Sequence, residues 1–220
     1  MNRSQKTRVK QICVLAAAIL FMIPATQADV LTFGLSYEFS GATSPAGSTP
    51  WLTATLNDHG GTGSVDLLLE TTNLTDNEFV FLWLFNLDPT LDPTALSFSA
   101  PTKTGLFTDP DIYTDPDAYK ADGDGDFDIK IEFDNSDGAP TRFGVDDAVQ
   151  YTITGIPELT VDSFDFLSVE GGGQGSFPTA AHVGGIGENS GWISIPEPNS
   201  MVLIGMASSM IAFVRSRFLI

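Results

Sequence analysis

The chain has 220 residues, 28 of them acidic and 10 basic, for a formal net charge of −18, and a single cysteine, Cys13. That length fits one domain with appendages. So acidic a chain makes a poor nucleic-acid binder, because phosphate binding rests on Lys and Arg. One thiol excludes both an intramolecular disulfide framework and a cysteine zinc site. A hydrophobic fraction of 42% is too high for wholesale disorder.

At the N-terminus, Arg3, Lys6, Arg8 and Lys10 precede an apolar run from Ile12 to Ile23, Pro24, and then Thr26-Gln27-Ala28. A basic start, a short apolar stretch and small residues at the cleavage position form the three-part secretory signal. Cleavage is expected after Ala28, which leaves a mature protein without cysteine.

From Asp29 to Ile195 the sequence reads as strands separated by turns. Leu31, Phe33, Leu35, Tyr37 and Phe39 alternate with small and polar residues. So do Phe127, Ile129, Ile131 and Phe133, and again Val149, Tyr151 and Ile153. Period-two alternation marks half-buried strands. Weaker versions occupy Trp51–Leu56, Ser64–Thr71 and Val161–Val169. Glu78–Leu87 (EFVFLWLFNL) is apolar on both faces, which predicts a central strand covered on both sides. Gly and Pro clusters at Gly41–Pro50, Asp88–Pro93, Gly171–Gly175 and Gly184–Gly187 supply turns. The expectation is an all-β body, an antiparallel β-sandwich of jelly-roll-like type over residues 29–195, long enough to bury a core without disulfides.

Within that body, Asp122, Asp124, Asp126 and Asp128 place four carboxylates at every second position. On an extended chain they would point one way, about 6.6 Å apart. Such carboxylates repel one another, and a hard oxygen-ligated cation relieves the repulsion. The run resembles calcium loops of the Asp/Asn-Gly-Asp-Gly-x-x-Asp kind, with Asp122, Asp124 and Asp128 on ligand positions and Asp126 on a permissive one. Lys120 stands where another acidic ligand is usual, and Asp109, Asp111, Asp115 and Asp117 in the preceding loop are the possible replacements. Two readings stay open: a Ca2+ site, or a solvated acidic loop leading into a strand.

Catalytic patterns are scarce. The two histidines, His59 and His182, belong to no Gly-x-Ser-x-Gly or His-Glu-x-x-His motif. Asp58-His59-Gly60-Gly61 reads as a turn and His182 as a packed residue at a strand end. No Glu-x-Asp-x-Glu strand motif of the jelly-roll glycosidases occurs. Of the three tryptophans, Trp83 falls in the doubly apolar strand and reads as core. Trp51 and Trp192 are candidate stacking platforms for a sugar ring, set against a buried role for both.

The C-terminus reads Pro196-Glu197-Pro198, a 14-residue apolar run from Met201 to Val214, then Arg215-Ser216-Arg217-Phe218-Leu219-Ile220. Fourteen residues as a helix span roughly 21 Å, short of a hydrocarbon core about 30 Å thick. Snorkelling of Arg215 and local bilayer thinning close part of that gap. Arginines beyond the run favour a cytoplasmic C-terminus with the body outside.

Pro196-Glu197-Pro198, the short apolar run, Arg215 and Arg217, together with the N-terminal signal, resemble the PEP-CTERM class of exported proteins. The resemblance covers Pro196 to Ile220. It implies export in a Gram-negative bacterium that makes exopolysaccharide, a transient transmembrane anchor, and cleavage near Pro196–Pro198 by an exosortase, the partner enzyme of the class. Asp122–Ile129, Tyr151–Ile156, Ala180–Val183 and Ser190–Ile193 further resemble blocks shared by a subset of these proteins. Neither resemblance implies an activity for the body. The expected function is therefore a non-enzymatic structural or adhesive protein of the cell surface or extracellular matrix. The alternatives are a carbohydrate-binding module for exopolysaccharide and, behind it, a secreted hydrolase.

Overall fold

Strands form where the sequence alternates, because a pleated chain sends successive side chains to opposite faces and only one face must be apolar. The computed structural model describes residues 29–136, 140–172 and 175–196, except for the side chain of Asp124. In chain order the strands are β1 (Val30–Leu35), β2 (Tyr37–Glu38), β3 (Leu52–Asn57), β4 (Val65–Glu70), β5 (Phe79–Phe85), β6 (Ser97–Phe98), β7 (Thr102–Thr104), β8 (Asp111–Ala121), β9 (Asp124–Glu132), β10 (Phe143–Gly144), β11 (Ala148–Thr154), β12 (Thr179–Ile186) and β13 (Asn189–Ser194). The described residues contain no α-helix, only short 3-10 turns at Pro93–Ala95 and Val161–Phe164.

These strands make two antiparallel sheets. One has the order β1-β3-β4-β11-β6, with β7 also on β11; the other runs β2-β13-β12-β5-β9-β8, with β10 on β5. Between β1 and β2 the chain leaves the first sheet for the second, and the Ser36 amide donates to the Ser194 carbonyl at the crossing. The sheets bury their alternating apolar residues against each other. Leu35, Leu52, Leu56, Leu69, Val80, Trp83, Ile131, Val149 and Ile153 all belong to this main core. Trp83 is fully buried and its Nε1 donates to the Thr179 hydroxyl at 3.0 Å, so the indole meets its one polar need inside.

β5 is central, between β12 and β9, as its two apolar faces require. Trp83 and Phe85 face the main core. Leu82 and Leu84 face away and join a second core with Phe39, Ala121, Phe127, Phe177, Ala180 and Trp192. An outer sheet face normally meets water. Here Phe39 and Phe177, from the chain around β2 and before β12, cover it instead.

Two expectations need correction. The acidic stretch before Asp122 is not a loop: Asp111–Ala121 is the longest strand, at the free edge of its sheet. Residues 161–169 form no strand; they make the 3-10 turn, and Val169 adds only an isolated bridge to Asp126. No helix among the described residues is long and apolar enough to cross a membrane. The signal segment 1–28, and Glu197, Pro198, Arg215 and Arg217 of the sorting signal, lie outside the described residues; Pro196 is the last described position.

Candidate functional site

Asp122 and Gly123 are the two central residues of the β8–β9 hairpin, with φ of 53° and 76°. Positive φ at both positions is the type I′ turn that matches strand twist, and Asp-Gly is among its preferred pairs. Gly125, at φ 64°, sits where the register shifts between Lys120↔Asp126 and Ala121↔Asp124. A Cβ there would lie 2.7 Å from Ser168 Oγ, so this bulge needs glycine. Hairpin and bulge geometry accounts for the two glycines of this run.

Asp126 and Asp128 are taken up by the protein. Lys120 Nζ lies 2.5 Å from Asp126 Oδ1. Asp128 accepts the Leu87 amide on Oδ2 at 2.8 Å and the Asp117 amide on Oδ1 at 2.9 Å. That second bond ties down a wide bulge in β8, where Asp117 adopts φ 49° and five positions separate Thr114 from Tyr119 against two on β9. Burial, with Asp128 and then Asp126 nearby, pushes the Asp117 carboxyl up. Among the described residues no three His, Cys, Asp or Glu side chains converge as a metal site would require.

The candidate platforms are enclosed. Trp51 is 7% exposed, belongs to the main core, and donates from Nε1 to the Gly47 carbonyl at 2.7 Å. Trp192 is 9% exposed and stacks on His182, with centroids 4.6 Å apart and planes 9° from parallel. Neither presents an open ring face. His182 lies within β12, not at its end; burial lowers its pKa, with Asp122 opposing. His59, at φ 54° in its turn, has Nε2 2.9 Å from Asp66 Oδ2. That bond, and then the Thr152 hydroxyl, hold the Asp66 carboxyl below its usual range.

A site that motif reading passed over lies on the outer face of the seven-stranded sheet. At β5 the pairing shifts between Leu82↔His182 and Val80↔Val183, leaving Phe81 as the extra residue. Such a bulge re-aims a side chain, and Phe81 turns outward beside Leu82. A row of aromatic rings results. Phe79 meets Phe81 edge-on at 4.6 Å, Phe81 meets His182 at 4.8 Å, and His182 stacks on Trp192. The Arg142 guanidinium lies 4.0 Å above the Phe79 ring.

Around Phe79 the sheet is furrowed, because its partners in register are Gly184 on β12 and Gly144 on β10. Gly184 leaves room for Phe81: a Cβ there would lie 2.4 Å from its ring. Two open clefts meet at Phe79 and Arg142. One, of about 580 Å³, runs over Phe81 and Gly184 to Glu188 on the β12–β13 turn and Asn189 and Ser190 at the start of β13. The other, of about 480 Å³, is lined by Asp76, Asn77, Leu106, Val145 and Asp147. Burial pushes the Asp147 carboxyl up, although it accepts the Gly144 amide at 2.7 Å. Both volumes fall in the range of small-molecule sites, roughly 300–1,000 Å³.

No family model, curated protein or solved structure matches this chain.

Proposed function

We propose that the chain is an exported, non-enzymatic adhesive or structural protein on a jelly-roll-like body, addressed by its two ends. The observation that carries this reading is the completeness of the body between those ends. The Asp29 amide donates to Asp58 Oδ1 at 3.2 Å immediately before β1, and β13 ends at Ser194 in pairing with β12 and β2. The basic and apolar segments on either side are the addresses in this reading. In this reading residues 1–28 direct secretion, and the apolar run before Arg215 holds the chain in the inner membrane with the body outside. An exosortase recognises Pro196, Glu197 and Pro198 with Arg215 and Arg217, and cleavage releases the body to the surface or matrix. The body's 27 acidic residues against 4 basic keep it soluble and self-repelling there.

Mass spectrometry of the exported protein tests this in a Gram-negative host that carries an exosortase. The expected mature chain begins at Asp29 and lacks the segment after Pro198. A protein processed at Asp29 but still ending in Ile220 overturns the sorting half of the proposal.

A further inference from the structure

We infer that the paired clefts across Phe79 and Arg142 bind a neutral, extended saccharide chain. A sugar ring presents an apolar C–H face and a rim of hydroxyls, so its site needs an aromatic surface edged by polar side chains. Phe81 supplies the surface. Its half-buried ring is pinned by the Gly184 backbone, the edge of Phe79 and His182. A ring already held in place loses little conformational freedom when a ligand lands on it. Asn189, Ser190 and Glu188 stand along one cleft, and Asn77 and Asp76 along the other. Together they offer donors and acceptors at both ends of a furrow that crosses three strands.

Charge narrows the ligand class. A body with 27 acidic and 4 basic residues repels a polyanion, and Asp76, Glu78, Asp147 and Glu188 along the clefts outnumber Arg142 at their junction. An uncharged polyhydroxyl chain escapes that penalty and its hydroxyls can donate to those carboxylates. A site in two joined parts suits several consecutive rings. A peptide is less well served. Strand addition needs free backbone groups, whereas β5 and β12 are paired with each other along the cleft floor.

The inference rests on the adhesive half of the proposed function and not on sorting; C-terminal processing and saccharide binding fail or succeed independently. The test is calorimetric titration of the full chain, purified in mild detergent, with neutral gluco-, xylo-, manno- and galacto-configured hexasaccharides. An oligogalacturonate and an uncharged decapeptide complete the panel. At least one neutral hexasaccharide is expected to bind and to be recovered uncleaved. Phe81→Ala is expected to weaken it about tenfold or more, the scale of a lost stacking contact in a desolvated site. Asn189→Ala, at the exposed first position of β13, is expected to weaken it by about threefold to tenfold. It keeps the test decisive should Phe81→Ala fail to fold. Binding of the oligogalacturonate or the peptide alone, no binding at all, or neutral binding unchanged in Asn189→Ala would overturn the inference. Recovery of cleaved saccharide would instead overturn the non-enzymatic reading.

Discussion

The outer faces of the two sheets are built from opposite chemistries. Across the six-stranded sheet, Thr32, Thr55, Leu68, Gln150 and Thr102 stand in register from β1 to β7. Their polar neighbours satisfy one another: Thr152 and Gln150 donate to Asp66, and Thr53 bonds Thr72. Across the seven-stranded sheet the corresponding face holds Leu82, Leu84 and Phe127 in a second core, then a row of rings ending in a furrow. The first face is an ordinary wet surface whose bonds close on themselves. On the second, Phe39 and Phe177 cover Leu84 and Phe127, and Phe81 stays half-buried along the furrow. Apolar surface maintained on an outer face, with glycines and a bulge holding it open, is where a ligand gains most.

Equivalent cuts into the two faces are expected to cost unequally. Phe127→Ala, in the second core and fully buried, is expected to lose about 3–5 kcal/mol, the range for deleting a buried phenyl ring. Leu68→Ala, half-buried on the opposite face, is expected to lose about 1 kcal/mol. Chemical denaturation of both variants reads the contrast; equal losses would dissolve it.

A smaller effect separates the carboxylates of the acidic hairpin. Asp128→Ala leaves the Leu87 and Asp117 amides without their acceptor and is expected to cost about 2 kcal/mol. Asp126→Ala removes a partly exposed ion pair with Lys120 and is expected to cost about 0.5 kcal/mol or less. A larger loss from Asp126 than from Asp128 would contradict the clamp role of Asp128.

The smallest expected effect is a pH dependence. Burial depresses the His182 pKa in the folded state. The unfolded chain therefore takes up a proton first as pH falls, so the histidine's contribution is present above about pH 6.5 and is lost as pH falls through the folded value. His182→Phe should flatten the melting temperature between about pH 5.5 and 7.5 relative to the parent chain. An unchanged slope would mean that the histidine is not shielded by Trp192 and Phe81.

How much of this could be read from the chain differs by region, for physical reasons. Phe127, Ile129, Ile131 and Phe133 announce β9 because one face must be apolar, and EFVFLWLFNL announces a central strand because both must. β8 is hidden by the devices that protect an exposed edge. Asp111, Asp115, Pro116 and Asp117 are what a free edge uses to resist further pairing, and they read as loop. Asp122-Gly123 fits a hairpin turn as well as it fits a cation loop, and the hairpin becomes visible only when Lys120 is seen opposite Asp126. The aromatic furrow is the least legible feature. Phe79 and Arg142 are 63 positions apart, and Gly184 is a further 42 along, so only strand register brings them together. One adjacent signal was present, two phenylalanines two apart; Gly184-Gly185 instead reads as a turn, although both glycines lie inside β12.

Oxidative footprinting of the full chain, with and without a saturating neutral hexasaccharide, tests the contrast between the faces most directly. The expected result is protection of Phe81 and residues 188–190, with His59 and Leu68 on the six-stranded sheet unchanged. Protection on the six-stranded face, or none on either, would contradict it.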